Sequence, residues 1–420
     1  MRRSALLLVL GLPMSVFAQR GGPARPITIH AAHVLDGRGA NLGEATITVD
    51  NGKISRIDKG APASPATFDL GGATLMPGLI DAHVHLNWYF NAQGRYHSGG
   101  DGDTPAQSML AMVMNGNATL MAGITTVQSP GAATDTLLRS WFGTGSLPGP
   151  RVVTSLQPIS PQLGTPDSAG RPGRPATADS ALRATVRQRK QQGADFIKIF
   201  ASASIRDGGK ATVSQSQMNA ICGEATSLGL RTIVHAHSPE SIRMSTLAGC
   251  TQIEHGMFAT DAELKLMAEK GTYFDPQVCL VLRNYLDNRA KYDGIGNFNE
   301  AGFSAMERAL PVAVEMYKHA LKTPGLKIVF GTDAVAGAHG RNVEELICRV
   351  NDGGQAPMDA IVSATSRGAE ALRLADQIGS VAVGLAADFV AVRGDPTKDI
   401  TTLREPIFVM KAGRAYRNDK

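Results

Sequence analysis

Strand-like and helix-like runs alternate from residue 77 to residue 377, and short antiparallel strands without intervening helices frame that stretch on both sides. Polar residues that suit metals or proton transfer stand at the ends of several of the alternating strands. Together these observations predict an α/β chain: a (β/α)8 TIM-like barrel over residues 77–377, with a small β-sandwich built from residues 19–76 and 378–420. With 420 residues, 43% of them hydrophobic, the chain can bury one large core and an accessory one.

The chain begins with Met1-Arg2-Arg3, followed by the apolar run Ala5–Leu12 and the ending Val16-Phe17-Ala18. A positive end, a short apolar core and a small-x-small ending predict a signal peptide over residues 1–18, and hence export to the periplasm or the medium. The run is too short to span a bilayer, and no later run is long enough, so no membrane association is expected after cleavage. Residues 19–26 read as a leader. Ile27–His30 and Ala45–Val49 alternate as strands, Asn51-Gly52 reads as a hairpin turn, and Lys53–Ile57 alternates again.

After Pro77 eight strand-like runs follow: Leu79–His85, Ile124–Val127, Arg151–Thr154, Phe196–Ile199, Thr232–His235, Gln252–Glu254, Thr272–Asp275 and Lys327–Phe330. Amphipathic stretches such as Ser180–Gln192, Ser214–Leu228 and Asp261–Lys270 lie between them. The tail returns to β with Ala387–Val392 and Ile407–Met410. Leu156–Pro175, rich in Gly, Pro and Ser, and Trp88–Thr104 are expected to be loops over the active face.

In such a barrel, catalytic side chains stand at the C-terminal ends of strands. Strand one ends in His83-x-His85, and residues two apart on a strand share a face. About 7 Å apart at the backbone, the two imidazoles can share one ion. His235, His237 and Glu254-His255 end the fifth and sixth strands, and Asp333 follows the eighth. Lys198 interrupts an apolar strand between Ile197 and Ile199. A buried ammonium needs either a partner carboxylate or neutralisation. A neutral lysine can react with carbon dioxide to give a carbamate, whose two oxygens can bridge two metals.

The segments Met76–His85, Gly123–Val127, Pro148–Arg151, Gly193–Ile199, Val234–His237, Ile253–Gly256 and Gly331–Ala334 resemble, in order, the amidohydrolase superfamily. Within it the chain looks similar to the imidazolonepropionase-like and Xaa-Pro-dipeptidase-like branch, including exported members that hydrolyse ochratoxin A. The resemblance implies two zinc ions per chain, bridged by carbamylated Lys198 and hydroxide. His83, His85, Lys198 and Asp333 would hold the first, and Lys198, His235 and His255 the second. It further implies that His237 meets the substrate carbonyl, that Asp333 moves the proton, and that subunits form homo-oligomers, octamers in many relatives. Two departures are expected to reshape the pocket. Val127-Gln128-Ser129 stands where relatives often have Val-Arg-Asp, and Ser202-Ala203-Ser204 where they often have Thr-Gly-Gly.

The expected reaction is hydrolysis of a small-molecule amide: an N-acyl amino acid or a dipeptide, with a C-terminal proline or aromatic residue. The alternatives are a cyclic amide hydrolase and a mononuclear deaminase, the latter disfavoured by Lys198. A substrate carboxylate would want a cation, and His339 and Arg341 after strand eight are candidates. The formal charge of +5 comes from dispersed lysines and arginines, so no nucleic-acid partner is expected. Cys222, Cys250, Cys279 and Cys348 form no CxxC pair and are expected to be buried free thiols.

Overall fold

The computed structural model describes residues 26–161 and 178–419. The expected signal peptide, most of the leader and most of the Leu156–Pro175 loop lie outside the described residues.

The chain opens with β1 (Ile27–Leu35), β2 (Asn41–Asp50), β3 (Lys53–Lys59), β4 (Phe68–Asp69) and β5 (Thr74–Pro77). β2 and β3 pair antiparallel through Asn51-Gly52, with φ of 49° and 76°. A two-residue hairpin turn of this kind needs positive φ at both positions, which Asn and Gly tolerate best. The parallel run follows: β6 (Leu79–Asp81), β7 (Ile124–Ser129), β8 (Arg151–Thr154), β9 (Phe196–Phe200), β10 (Arg231–Ala236), β11 (Gln252–His255), β12 (Tyr273–Asp275) and β13 (Lys327–Ile328). The chain closes with β14 (Phe389–Val392), β15 (Pro406–Lys411) and β16 (Arg414–Asn418).

Strands from both chain ends form one mixed sheet in the order β16-β15-β14-β5-β1-β2-β3, with β4 beside β1. Its joint is the antiparallel pair β5–β14, where Met76 faces Val390. The parallel strands form a three-stranded sheet, β6-β7-β8, and a five-stranded one, β13-β12-β11-β10-β9. Parallel bridges Val84–Ala334 and Ile159–Ile199 lie at the two seams between these sheets. The His85 N–H donates to the Ala334 carbonyl at 2.8 Å across one seam, and the Ile159 N–H to that of Lys198 at 2.8 Å across the other.

Each of the eight expected parallel runs holds a strand, but the first and last are shorter than expected. Backbone pairing nonetheless runs on past β6, with the Ala82 N–H donating to the Phe330 carbonyl at 2.8 Å and the Val84 N–H to that of Gln128 at 3.0 Å, while the buried Asp81 ties the two strand ends together. Its carboxylate accepts the N–H groups of His83 and Thr332, the Thr332 hydroxyl and the Asn342 amide, at 2.7–3.1 Å. The largest core lies between the parallel strands and their helices, with Ile199, Val234, Ile253 and Phe274 packed among Val186, Ile221 and Leu264. No helix among the described residues is long and apolar enough to cross a membrane.

The cysteines correct an expectation. Cys222 is bonded to Cys250 and Cys279 to Cys348, so none is free. Separations of 28 and 69 residues left no local signal of pairing. The fold supplies the proximity by bringing the helix Gln215–Ser227 beside the turn before β11, and the segment after β12 beside the helix Val343–Asn351.

Candidate metal centre

A cavity of about 770 Å³ opens at the C-terminal ends of the parallel strands, and His83, His85, Lys198, His235, His237, His255 and Asp333 all line it. His83 and His85 lie just past β6, with ring centroids 5.2 Å apart. His83 Nδ1 is 2.6 Å from Glu254 Oε2. An ionised carboxylate only accepts, so Nδ1 donates to it, which turns Nε2 toward the other candidate ligands. That Nε2 lies 3.3 Å from Lys198 Nζ and 3.5 Å from Asp333 Oδ1. His85 Nε2 lies 3.1 Å from the same Asp333 oxygen, and Trp88 stacks on the His85 ring.

His235, His237 and His255 form the second group, with ring centroids 4.5–4.8 Å apart. Burial holds His235 and His255 well below the usual imidazole range, and neighbouring rings push the same way. His237 is held down to about 3 by burial, with Arg206 and Lys198 adding to the effect. These three imidazoles are therefore neutral at pH 7, the state that ligates metal. Asp333 is the opposite case: burial works to raise it, yet His83 and His85 hold it down to about 2. Two of these residues stand on left-handed backbone, His255 at φ 66° and Asp333 at φ 50°. A side-chain-bearing residue held there costs about 1–3 kcal/mol, a kind of strain that clusters at functional sites.

Lys198 projects from β9 and is 1% exposed. Burial lowers its pKa, opposed in part by Glu254, Asp333 and Asp275. The salt-bridge alternative finds no support: among the described residues its Nζ has no carboxylate within ion-pair reach, and its one hydrogen-bonding neighbour is His83.

The donor set of four imidazoles, a carboxylate and a neutralisable lysine suits zinc. Two buried atoms, His85 Nδ1 and His237 Nδ1, lack a hydrogen-bond partner among the described residues. Buried polar orphans of this sort are costly unless something binds them. The residues present therefore fit a metal.

Several supporting residues were missed by sequence reasoning. Asp81, raised to about 6 by burial against four opposing hydrogen bonds, ties the His83 segment to the Thr332-Asp333 turn. Glu254 stayed unassigned beside His255. Burial raises it, but His83 and Lys198 bring it below the ordinary carboxylate value, while its neighbour Asp275 is pushed well above by burial and by Glu254. Gln277 accepts the His255 N–H at 2.8 Å. In the departing Ser202-Ala203-Ser204 segment, Ser202 Oγ accepts the His237 N–H and Ser204 Oγ that of Arg206. His339 and Arg341 do not line the cavity. Arg341 is exposed, 4.0 Å from Asp287. The His339 ring nitrogens are buried against the backbone of His85 and Trp88, and burial holds the imidazole down to about 4. Arg206 is the arginine on the cavity wall.

The amidohydrolase family model matches residues 74–416. The chain belongs to the amidohydrolase family. This match, with the ochratoxinase and dipeptidase likenesses that follow, supports a hydrolase acting on carbon–nitrogen amide bonds. The ochratoxinase of Aspergillus niger is 25% identical to this amidohydrolase over 94% of the chain and 87% of the relative. The imidazolonepropionase of Pseudomonas putida is 24% identical over 86% and 90%. Among solved structures, a Xaa-Pro dipeptidase with methionine bound in its active site superposes with a TM-score of 0.82 at 28% identity, covering 94% of this chain and all of the other.

Proposed function

We propose that this amidohydrolase cleaves the amide bond of N-acyl amino acids or dipeptides at a two-zinc centre. One observation carries the reading: four imidazoles, the Asp333 carboxylate and the buried, unpaired Lys198 converge on one cavity. Likeness to an ochratoxinase and a Xaa-Pro dipeptidase supports the substrate class.

In this reading the eight parallel strands close into a barrel whose rim carries the ligands. His83, His85 and Asp333 would hold one ion and His235 and His255 the other, with Lys198, once neutral and carbamylated, available to both. When bound, the ions supply a hydroxide near neutral pH and polarise the scissile carbonyl. Neutral His237 donates one N–H to the carbonyl oxygen as negative charge develops there. Asp333, ionised at rest, accepts the proton of the attacking water and passes it to the leaving nitrogen, which departs poorly unless protonated. Trp88 covers His85 and shields it from bulk solvent.

Export belongs to the same proposal, and the two disulfides support it because they suit an oxidising compartment. Exposed Leu110, Met114, Leu137 and Trp141 support self-association.

The test is mass-spectrometric hydrolysis by zinc-loaded protein of glycyl-proline, N-acetyl-L-phenylalanine, ochratoxin A and imidazolonepropionate, with His83→Ala as the blank. Cleavage of one or more of the first three is expected. Turnover of imidazolonepropionate alone would replace the substrate class by a cyclic amide.

A further inference from the structure

We infer that Arg206 is the receptor for a free carboxylate on the substrate, and that this amidohydrolase therefore selects acyl amino acids over their neutral analogues. The inference rests on the amide-hydrolase reading for its substrate but on Arg206's own surroundings for its chemistry.

Arg206 follows the Ser202-Ala203-Ser204 turn past β9 and lines the same cavity as the candidate ligands. Its guanidinium carbon lies 4.0 Å from the centroid of Phe298 and 5.3 Å from that of Tyr285. Stacking on the rings fixes the guanidinium plane and leaves its edge to make hydrogen bonds. Nε donates to Asn297 Oδ1 at 2.7 Å. That acceptor is neutral, so it orients the cation without discharging it. The nearby carboxylate of Asp207 is itself engaged, accepting from Asn297 Nδ2 at 2.6 Å. The two Nη atoms make no hydrogen bond or ion pair with any described residue.

A half-buried cation held in place by two rings and a neutral amide, its Nη atoms turned to no described partner on the wall of the candidate site, is placed to take an anion from outside. The planar fork matches a carboxylate with two parallel bonds. Phe200, Met257, Val281 and Leu282 line the same cavity. They favour an apolar side chain on the residue that bears the carboxylate. The exposed Arg341, off the cavity wall, is replaced in this role.

The first experiment needs no turnover. Calorimetric binding of 3-phenylpropionate and of 3-phenylpropanol to the zinc-loaded enzyme compares a carboxylate with a neutral group on one apolar body. The carboxylate is expected to bind at least ~10-fold more tightly, the scale of a hydrogen bond to a charged group. Arg206→Met should bring that ratio close to one. Arg206→Lys, which keeps the charge and loses the fork, should leave an intermediate ratio and covers the case in which Arg206→Met does not fold. An unchanged ratio in the folded variants would mean that another group, such as the metal, holds the carboxylate, and would overturn the inference.

The second experiment compares kcat/KM for N-acetyl-L-phenylalanine and its C-terminal amide. A preference for the acid that collapses with Arg206 supports the inference. Cleavage of both at equal rates by the native enzyme refutes it while leaving amide hydrolysis standing. Cleavage of neither counts against the proposed function, and the binding ratio then decides the inference alone.

Discussion

Glu254→Gln isolates the contribution of a charge placed behind a ligand. Glu254 is fully buried and its Oε2 lies 2.6 Å from His83 Nδ1. The substitution keeps the size and an acceptor oxygen, and removes only the negative charge. The new amide can donate to Gln252 Oε1, a buried atom without a hydrogen-bond partner among the described residues, once the Gln252 amide, now donating to Glu254, turns over. Packing should therefore survive, and the loss is the difference between a charge-assisted and a neutral hydrogen bond, about 1–2 kcal/mol. His83 would then be a poorer base at Nε2, and zinc affinity should fall about 10-fold, at the lower end of what removing such partners does. Chelator competition measures it, with the thermal midpoint as a control for folding. Unchanged zinc affinity in a folded variant would refute the idea that the Glu254 charge strengthens His83 as a ligand.

Other perturbations test neighbouring parts of the account. Lys198→Ala should lower the metal content from two ions per chain to one or fewer and reduce hydrolysis at least ~100-fold, since partners behind a ligand alone account for 10–100-fold; mass spectrometry of the metal and steady-state rates check both. Arg349→Met removes a fully buried cation that bonds Glu345 at 3.0 Å and the Val329 carbonyl at 2.7 Å. It should destabilise the fold by about 3–5 kcal/mol, seen as a lower melting temperature with the native circular dichroism kept at low temperature. Asp135 is raised to about 6 by burial, so between its ordinary value near 3.8 and pH 6 the folded chain holds a proton that the unfolded chain has released. Its contribution to stability is full below pH 3.8 and is lost as pH rises through 6, about 3 kcal/mol in all. Asp135→Asn should flatten that part of the stability profile in denaturant titrations at pH 4 and 7; an unchanged slope contradicts the assignment.

The parts that could be read from the sequence are those in which one residue and its neighbours carry the signal. Strand runs such as Ile124–Val127 and Thr232–His235 are short, bounded and rich in β-branched residues, as strands are. His83-x-His85 announces itself by the period of a strand, and Lys198 by contradicting its apolar neighbours. What escaped depends on distance along the chain. Asp81 reaches Thr332 and Asn342, residues 251 and 261 positions away, and no local pattern encodes that. The disulfides escaped for the same reason. Arg206 escaped because an arginine in a loop looks solvated until Phe298 and Tyr285, some ninety and eighty residues on, are folded against it. Arg341, closer in sequence to Asp333, looked the better candidate but is exposed and off the cavity wall.

The central claim is that the cavity holds two metal ions joined by a modified Lys198. Anomalous diffraction at the zinc edge from crystals of the zinc-loaded amidohydrolase tests it most directly. The account predicts two peaks, one among His83, His85 and Asp333 and one between His235 and His255, with electron density continuing past Lys198 Nζ toward both. A single peak with density ending at Nζ would contradict it.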